Sequence, residues 1–132
     1  MDLQTVLYSV DDGVATVTLN RPEAMNAWTP QLADELGIAL GLADTADDVR
    51  AIVITGAGKA FCAGADLSGG EGGFKAGGAS TYDGPRRMPH QTSKPVIAAI
   101  NGHAVGVGIT YPMLADIRIV NEAAKIQYAM VR

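Results

Sequence analysis

The apolar, β-branched run Ala51-Ile-Val-Ile-Thr55 leads into Lys59-Ala-Phe-Cys-Ala-Gly-Ala-Asp-Leu67, and beyond it glycine is too dense for a helix to begin. The chain must therefore leave a buried strand through a turn of small residues. Such a turn can point backbone N–H groups into a cleft with no side chain in the way. Two donors of this kind aimed at one carbonyl oxygen form an oxyanion hole, usually the largest single term in acyl-group chemistry. A second candidate donor lies further on, in Asn101-Gly-His-Ala-Val-Gly-Val-Gly108.

The flanking sequence supplies a frame for these turns. Leu3–Ser9 and Val14–Leu19 alternate in polarity around Asp11-Asp12-Gly13, which predicts a β-hairpin. Thr29-Pro30 is a helix N-cap with proline at the first helical position. Leu32, Leu36, Ala39, Leu40 and Ala43 then recur at helical spacing, predicting an amphipathic helix over 30–44. Gly37 and Gly41 inside it predict close packing of the helix on the sheet. Val49–Thr55 reads as a parallel strand covered on both faces, completing a βαβ unit. Lys94-Pro95 opens a strand over Val96–Ile100, which Asn101-Gly102 turns. A short buried helix is expected over Gly106–Leu114, then strands at Ile117–Val120 and Ile126–Tyr128. Ten of the sixteen glycines fall between Gly56 and Gly84. Within that stretch, 68–80 has little to bury and reads as a surface loop able to act as a lid, or as a connection without a role.

Composition narrows the function. A chain of 132 residues, 48% hydrophobic and 18% charged, is ordinary for one globular domain. A net charge of −4 argues against nucleic acid as a partner. A small anion needs only local positive groups; Arg86, Arg87 and Lys94 are candidates, with solvated surface the preferred reading. The single cysteine, Cys62, reads as a small buried filler. No apolar run reaches the ~20 residues that span a bilayer, and no secretory signal stands at the N-terminus, so the expectation is a cytoplasmic protein. Gly56-Ala-Gly58 and Gly106-Val-Gly108 each lack the third glycine of a dinucleotide fingerprint. His90 and His103 have no partners at metal-ligand spacing, so no metal is expected. Trp28 is expected to pack rather than bind.

The two-loop reading places one donor at the N–H of Ala65, after Gly64, and the other at Val107, at a helix start. Tight glycine turns with a purely structural role are the alternative. Asn20-Arg-Pro22 with Asn26-Ala27, Ile52-Val-Ile-Thr-Gly56, Ala60-Phe-Cys-Ala-Gly-Ala-Asp66, Lys94-Pro-Val-Ile-Ala-Ala-Ile-Asn-Gly102, and Ala104-Val-Gly-Val-Gly108 with Asp116-Ile117 together resemble the crotonase, or enoyl-CoA hydratase/isomerase, superfamily. The resemblance covers nearly the whole chain, in order and spacing.

It implies an α/β fold, a ClpP/crotonase-like spiral of ββα repeats, of which residues 1–132 would be the N-terminal half without the trimerising helices. It implies an acyl-CoA thioester as substrate, with coenzyme A part of that substrate and no separate cofactor. Ala65 and Val107 would be the oxyanion donors. Met25, Ala27, Ala63, Asp66, Leu67 and Ser68 would line the path of CoA and the acyl group. Asp66 reads first as a structural carboxylate. Val107 stands where the family usually has glycine, which bears on substrate range more than on mechanism. The glutamates that hydratases use as acid and base would fall at Thr110 and Met130, and neither is a carboxylate. Double-bond isomerisation is thus slightly favoured over hydration, with the base beyond Arg132. A non-catalytic acyl-CoA-binding or assembly subunit is the alternative. The intact protein is expected to be a homotrimer or hexamer, and this chain a fragment able to pair with its own C-terminal piece. Alone, such a half-spiral should leave strand edges and core uncovered.

Overall fold

The computed structural model describes residues 2–67 and 81–128. Strands β1 (Val6–Asp11) and β2 (Val14–Leu19) form the expected hairpin, with Asp11 paired to Val14. Asp12 and Gly13 both have positive φ, at 48° and 80°, the tight turn whose twist suits a hairpin. The first strand starts later than Leu3. The N–H groups of Gln4 and Thr5 donate instead to the Glu35 carboxylate at 2.7 and 2.8 Å.

Helix α1 (Pro30–Thr45) begins as predicted, with Leu32 N–H donating to Thr29 Oγ1 at 3.1 Å. Its buried face carries Leu32, Leu36, Ala39, Leu40 and Ala43. The role expected of Gly37 and Gly41 is corrected. Their side of the helix meets the segment around Pro85–Arg87 rather than the sheet. Arg87 N–H donates to Gly37 O at 3.1 Å, and a Cβ on Gly41 would collide with the Pro85 carbonyl. The cations of this region are tied to α1. Arg86 pairs with Asp34 at 2.7 Å and Arg87 with Asp44 at 3.4 Å. Lys94 Nζ donates to Ala43 O and Ala46 O, satisfying carbonyls that the end of α1 leaves open.

Strand β3 (Ala51–Gly56) runs parallel to β2. Ile52 and Ile54 are buried, but Ala51, Val53 and Thr55, which alternate with them, are only half-buried, so full cover on both faces is not observed. The chain then steps between two sheets. Strands β3, β5 (Val96–Ile100) and β7 (Ile117–Val120) lie in a five-stranded sheet of order β1-β2-β3-β5-β7. Each is followed by a short strand of a second, parallel sheet: β4 (Ala60–Cys62), β6 (His103–Val105) and β8 (Ile126–Gln127). That alternation is an α/β spiral. Between β6 and β7, α2 (Val107–Thr110) makes a single turn, and a 3₁₀ turn at Pro112–Leu114 follows. Proline at 112 cannot donate the next α-helical bond, so the expected longer helix is split.

The core of buried apolar residues lies under both sheets and α1 and includes Phe61, Cys62, Ala104 and Ile109. At the far edge the cover ends. All four side chains of β7 are exposed, Ile119 at 62%, as are Ile126 and Tyr128. Among the described residues no helix is long and apolar enough to cross a membrane.

Candidate active site

The site is built from three loops, beginning with the one that leaves β2. A 3₁₀ turn at Pro22–Ala24 is followed by Met25 and Asn26, both left-handed, with φ of 51° and 56°. Asn tolerates that conformation, and Asn26 uses it to bury its amide completely. Its Nδ2 donates to Ala57 O and Ala60 O, both at 2.9 Å, and its Oδ1 accepts from Arg21 N–H at 2.8 Å. The loop is thereby fastened to the start of β4.

Beyond Asn26 the loop runs beside the turn that follows β4. Ala63 N–H donates to Met25 O at 3.1 Å, Trp28 N–H to Gly64 O at 2.7 Å, and Asp66 N–H to Trp28 O at 2.8 Å. The last two bonds form a parallel bridge between Trp28 and Ala65. In such a bridge Trp28 bonds to the neighbours of Ala65, so the N–H and C=O of Ala65 face the opposite side.

The third loop joins β6 to α2. Gly106 has φ +57°, its N–H donates to Gln127 O at 2.9 Å, and its carbonyl accepts from Ile109 and Thr110. Val107 therefore opens the helix with an N–H in the unsatisfied first turn. Among the described residues neither the Ala65 nor the Val107 N–H donates a hydrogen bond. Two close approaches hold their loops together. A Cβ on Gly108 would collide with Cys62 O, and one on Gly64 would lie 3.3 Å from Val105 O. A single turn of helix adds little dipole at its start.

The other residues singled out from sequence fall as follows. Ala27 is half-buried and its carbonyl accepts from Arg21 Nη1, while Met25 and Leu67 are exposed, Leu67 at 76%. Asp66 pairs with Arg21 at 3.0 Å. Thr110 is half-buried, and its hydroxyl donates to Val107 O at 3.4 Å. Ser68, Met130 and the lid-like stretch 68–80 lie outside the described residues. Cys62 is fully buried, and burial pushes its thiol up from the ordinary value. His103 Nδ1 accepts from Lys125 N–H at 2.9 Å. Among the described residues no three His, Cys, Asp or Glu side chains gather as metal ligands.

Trp28 packs as expected, its ring 5.1 Å from that of Tyr111 at 53°. Sequence reasoning passed over Tyr111, whose hydroxyl is buried with no hydrogen-bond partner among the described residues. Burial pushes that phenol well above its ordinary range. It also passed over Asn26 as a clamp and Arg21 as a tie. A polar residue inside a short motif was the available signal for both.

A family model described as enoyl-CoA hydratase/isomerase matches residues 9–132. The probable enoyl-CoA hydratase echA14 of Mycobacterium tuberculosis is 44% identical over 130 residues, covering 90% of this chain and 48% of that protein. The (E)-benzylidenesuccinyl-CoA hydratase of Thauera aromatica is 41% identical over 131 residues, covering 96% and 51%. Among solved structures, a probable enoyl-CoA hydratase/isomerase from Mycobacterium abscessus superposes with a TM-score of 0.80 at 38% identity, covering 93% of this chain and 48% of that one. The chain spans about half the length of the curated relatives it matches.

Proposed function

The chain belongs to the enoyl-CoA hydratase/isomerase family, and from that premise we propose that it supplies the thioester-activating half of an acyl-CoA enzyme. The Ala65 and Val107 N–H groups receive the thioester carbonyl oxygen. Removal of an α-proton pushes the C–H electron pair onto that oxygen, and both donors bond more strongly to the resulting enolate than to the neutral carbonyl. The observation that carries this reading is the interlock of Gly64 with Val105 and of Gly108 with Cys62. It ties together the two loops that carry the Ala65 and Val107 N–H groups, neither of which has an acceptor among the described residues. Losing one donor from such a pair costs about 10²–10³ in rate in other enzymes.

Thr110 and Met130 offer no carboxylate at the hydratase positions, so the base is supplied elsewhere. Shifting a double bond between carbons is favoured over adding water. The names of the relatives favour the second reading, hydration. A 3-enoyl-CoA and a 2-enoyl-CoA, offered separately to the protein with absorbance and product mass followed, distinguish the two. Migration of the double bond supports the first, and a mass gain of one water supports the second. Thioester binding with neither reaction leaves an acyl-CoA-binding subunit. Failure to bind any acyl-CoA rejects the proposal.

A further inference from the structure

The geometry points to Arg21 as the positioning residue for the Ala65 donor, an inference that rests on the oxyanion reading above. Its guanidinium grips both sides of the Trp28–Ala65 bridge. Nη1 donates to the carbonyl of Ala27, the residue before Trp28, and Nη2 meets Oδ2 of Asp66, the residue after Ala65, at 3.0 Å. Only a planar fork of donors does both at once; an ammonium is a single point charge.

The base of this fork is itself fixed. Arg21 N–H donates to Asn26 Oδ1 at 2.8 Å, and Arg21 O accepts from Ala24 and Asn26 N–H at 3.0 and 2.9 Å. The side chains of Arg21 and Asp66 are only 20% and 16% exposed, so water screens the pair less than it would a surface bridge. Both neighbours of Ala65 are thus held. Gly64 is bonded through its carbonyl to Trp28, and Asp66 through its N–H to Trp28 and its carboxylate to Arg21. The peptide between them carries the donor, and a hydrogen bond weakens steeply as its angle closes. Arg21 therefore sets the aim of the Ala65 N–H, and its loss shows in carbonyl polarisation more than in affinity.

The test is difference infrared spectroscopy of this chain with crotonyl-CoA isotope-labelled at the thioester carbonyl carbon. Hydrogen bonds to that oxygen lower its stretching frequency. The native protein should show a downshift on binding. Arg21→Gln should keep binding and lose most of the downshift, and Arg21→Lys, which keeps the charge but not the fork, should fall between. Asp34→Asn removes an ion pair of similar length on α1 and should leave the downshift whole. A full downshift in Arg21→Gln, or an equal loss in Asp34→Asn, overturns the role of Arg21. If Arg21→Gln does not fold, Asp66→Asn carries the test, since it removes the charge pair and retains an acceptor oxygen. Binding without any downshift in the native protein overturns the oxyanion reading, and the Arg21 role with it.

Discussion

Gly108 lies so close to Cys62 that a methyl group on its α-carbon would run into the Cys62 carbonyl oxygen and come within 2.9 Å of Cys62 Cβ. The obstacle is backbone of a buried strand, which cannot rotate away. Gly108→Ala must therefore push α2 off β4. Overpacking of this kind costs roughly 1–3 kcal/mol. Urea unfolding should show that loss, and the carbonyl downshift of a bound thioester should shrink with it. A variant of native stability would mean that the two loops are less closely seated.

Val107→Pro isolates one donor. Position 107 opens α2, and proline is tolerated there because that N–H has no helical acceptor in any case. The fold should survive with little change in thermal midpoint. Turnover of an enoyl-CoA by a chain that shows activity should fall by about 10²–10³, the usual effect of deleting one oxyanion donor. Near-native turnover would remove Val107 from the site.

Asn26→Ala takes this partner from the Arg21 N–H and the Ala57 carbonyl, and leaves the Ala60 carbonyl with the longer bond, 3.4 Å, from Asn101 Nδ2. An unsatisfied buried polar group costs about 1–3 kcal/mol. The left-handed backbone at Asn26 adds strain for alanine. The expected result is a large drop in stability and faster amide exchange at Arg21. A drop below 1 kcal/mol, by the same scale, would show that water replaces the side chain without penalty.

These relationships explain where sequence reading succeeds and where it stops. The hairpin, α1 and Val96–Ile100 were legible because alternation, the Thr29-Pro30 cap and flanking turns are local signals. Strands β4 and β6 were not, since three residues are too few to display a period of two. The turns that carry Ala65 and Val107 could be read from glycine spacing. What holds them could not, because Arg21 meets Asp66 across 45 positions of chain and Asn26 meets Ala60 across 34. Charged residues also look alike in sequence whether solvated or tied. Glu35, within α1, proved to clasp the backbone of Gln4 and Thr5, and Lys94 the carbonyls at the C-terminal end of α1.

Asp44 gives the fold a pH dependence with a definite sign. Burial pushes its carboxyl up, but the Ser93 N–H and hydroxyl, both at 2.8 Å, and the charges of Arg87 and Lys94 outweigh that, so it lies below the ordinary value. The unfolded chain therefore takes up the proton first as pH falls, and folding loses this contribution. The contribution is complete above roughly pH 4, the ordinary carboxylate range, and fades below it through the lower folded-state pKa. Asp44→Asn should be less stable than the native chain at neutral pH. The thermal midpoints of the two should converge as the solution is acidified. Curves that stay parallel would mean that the Ser93 bonds hold the neutral acid as well as the anion. Convergence would show that the anion is what clasps the segment carrying Arg87 and Lys94 onto α1, and with it the chain that leads into β5.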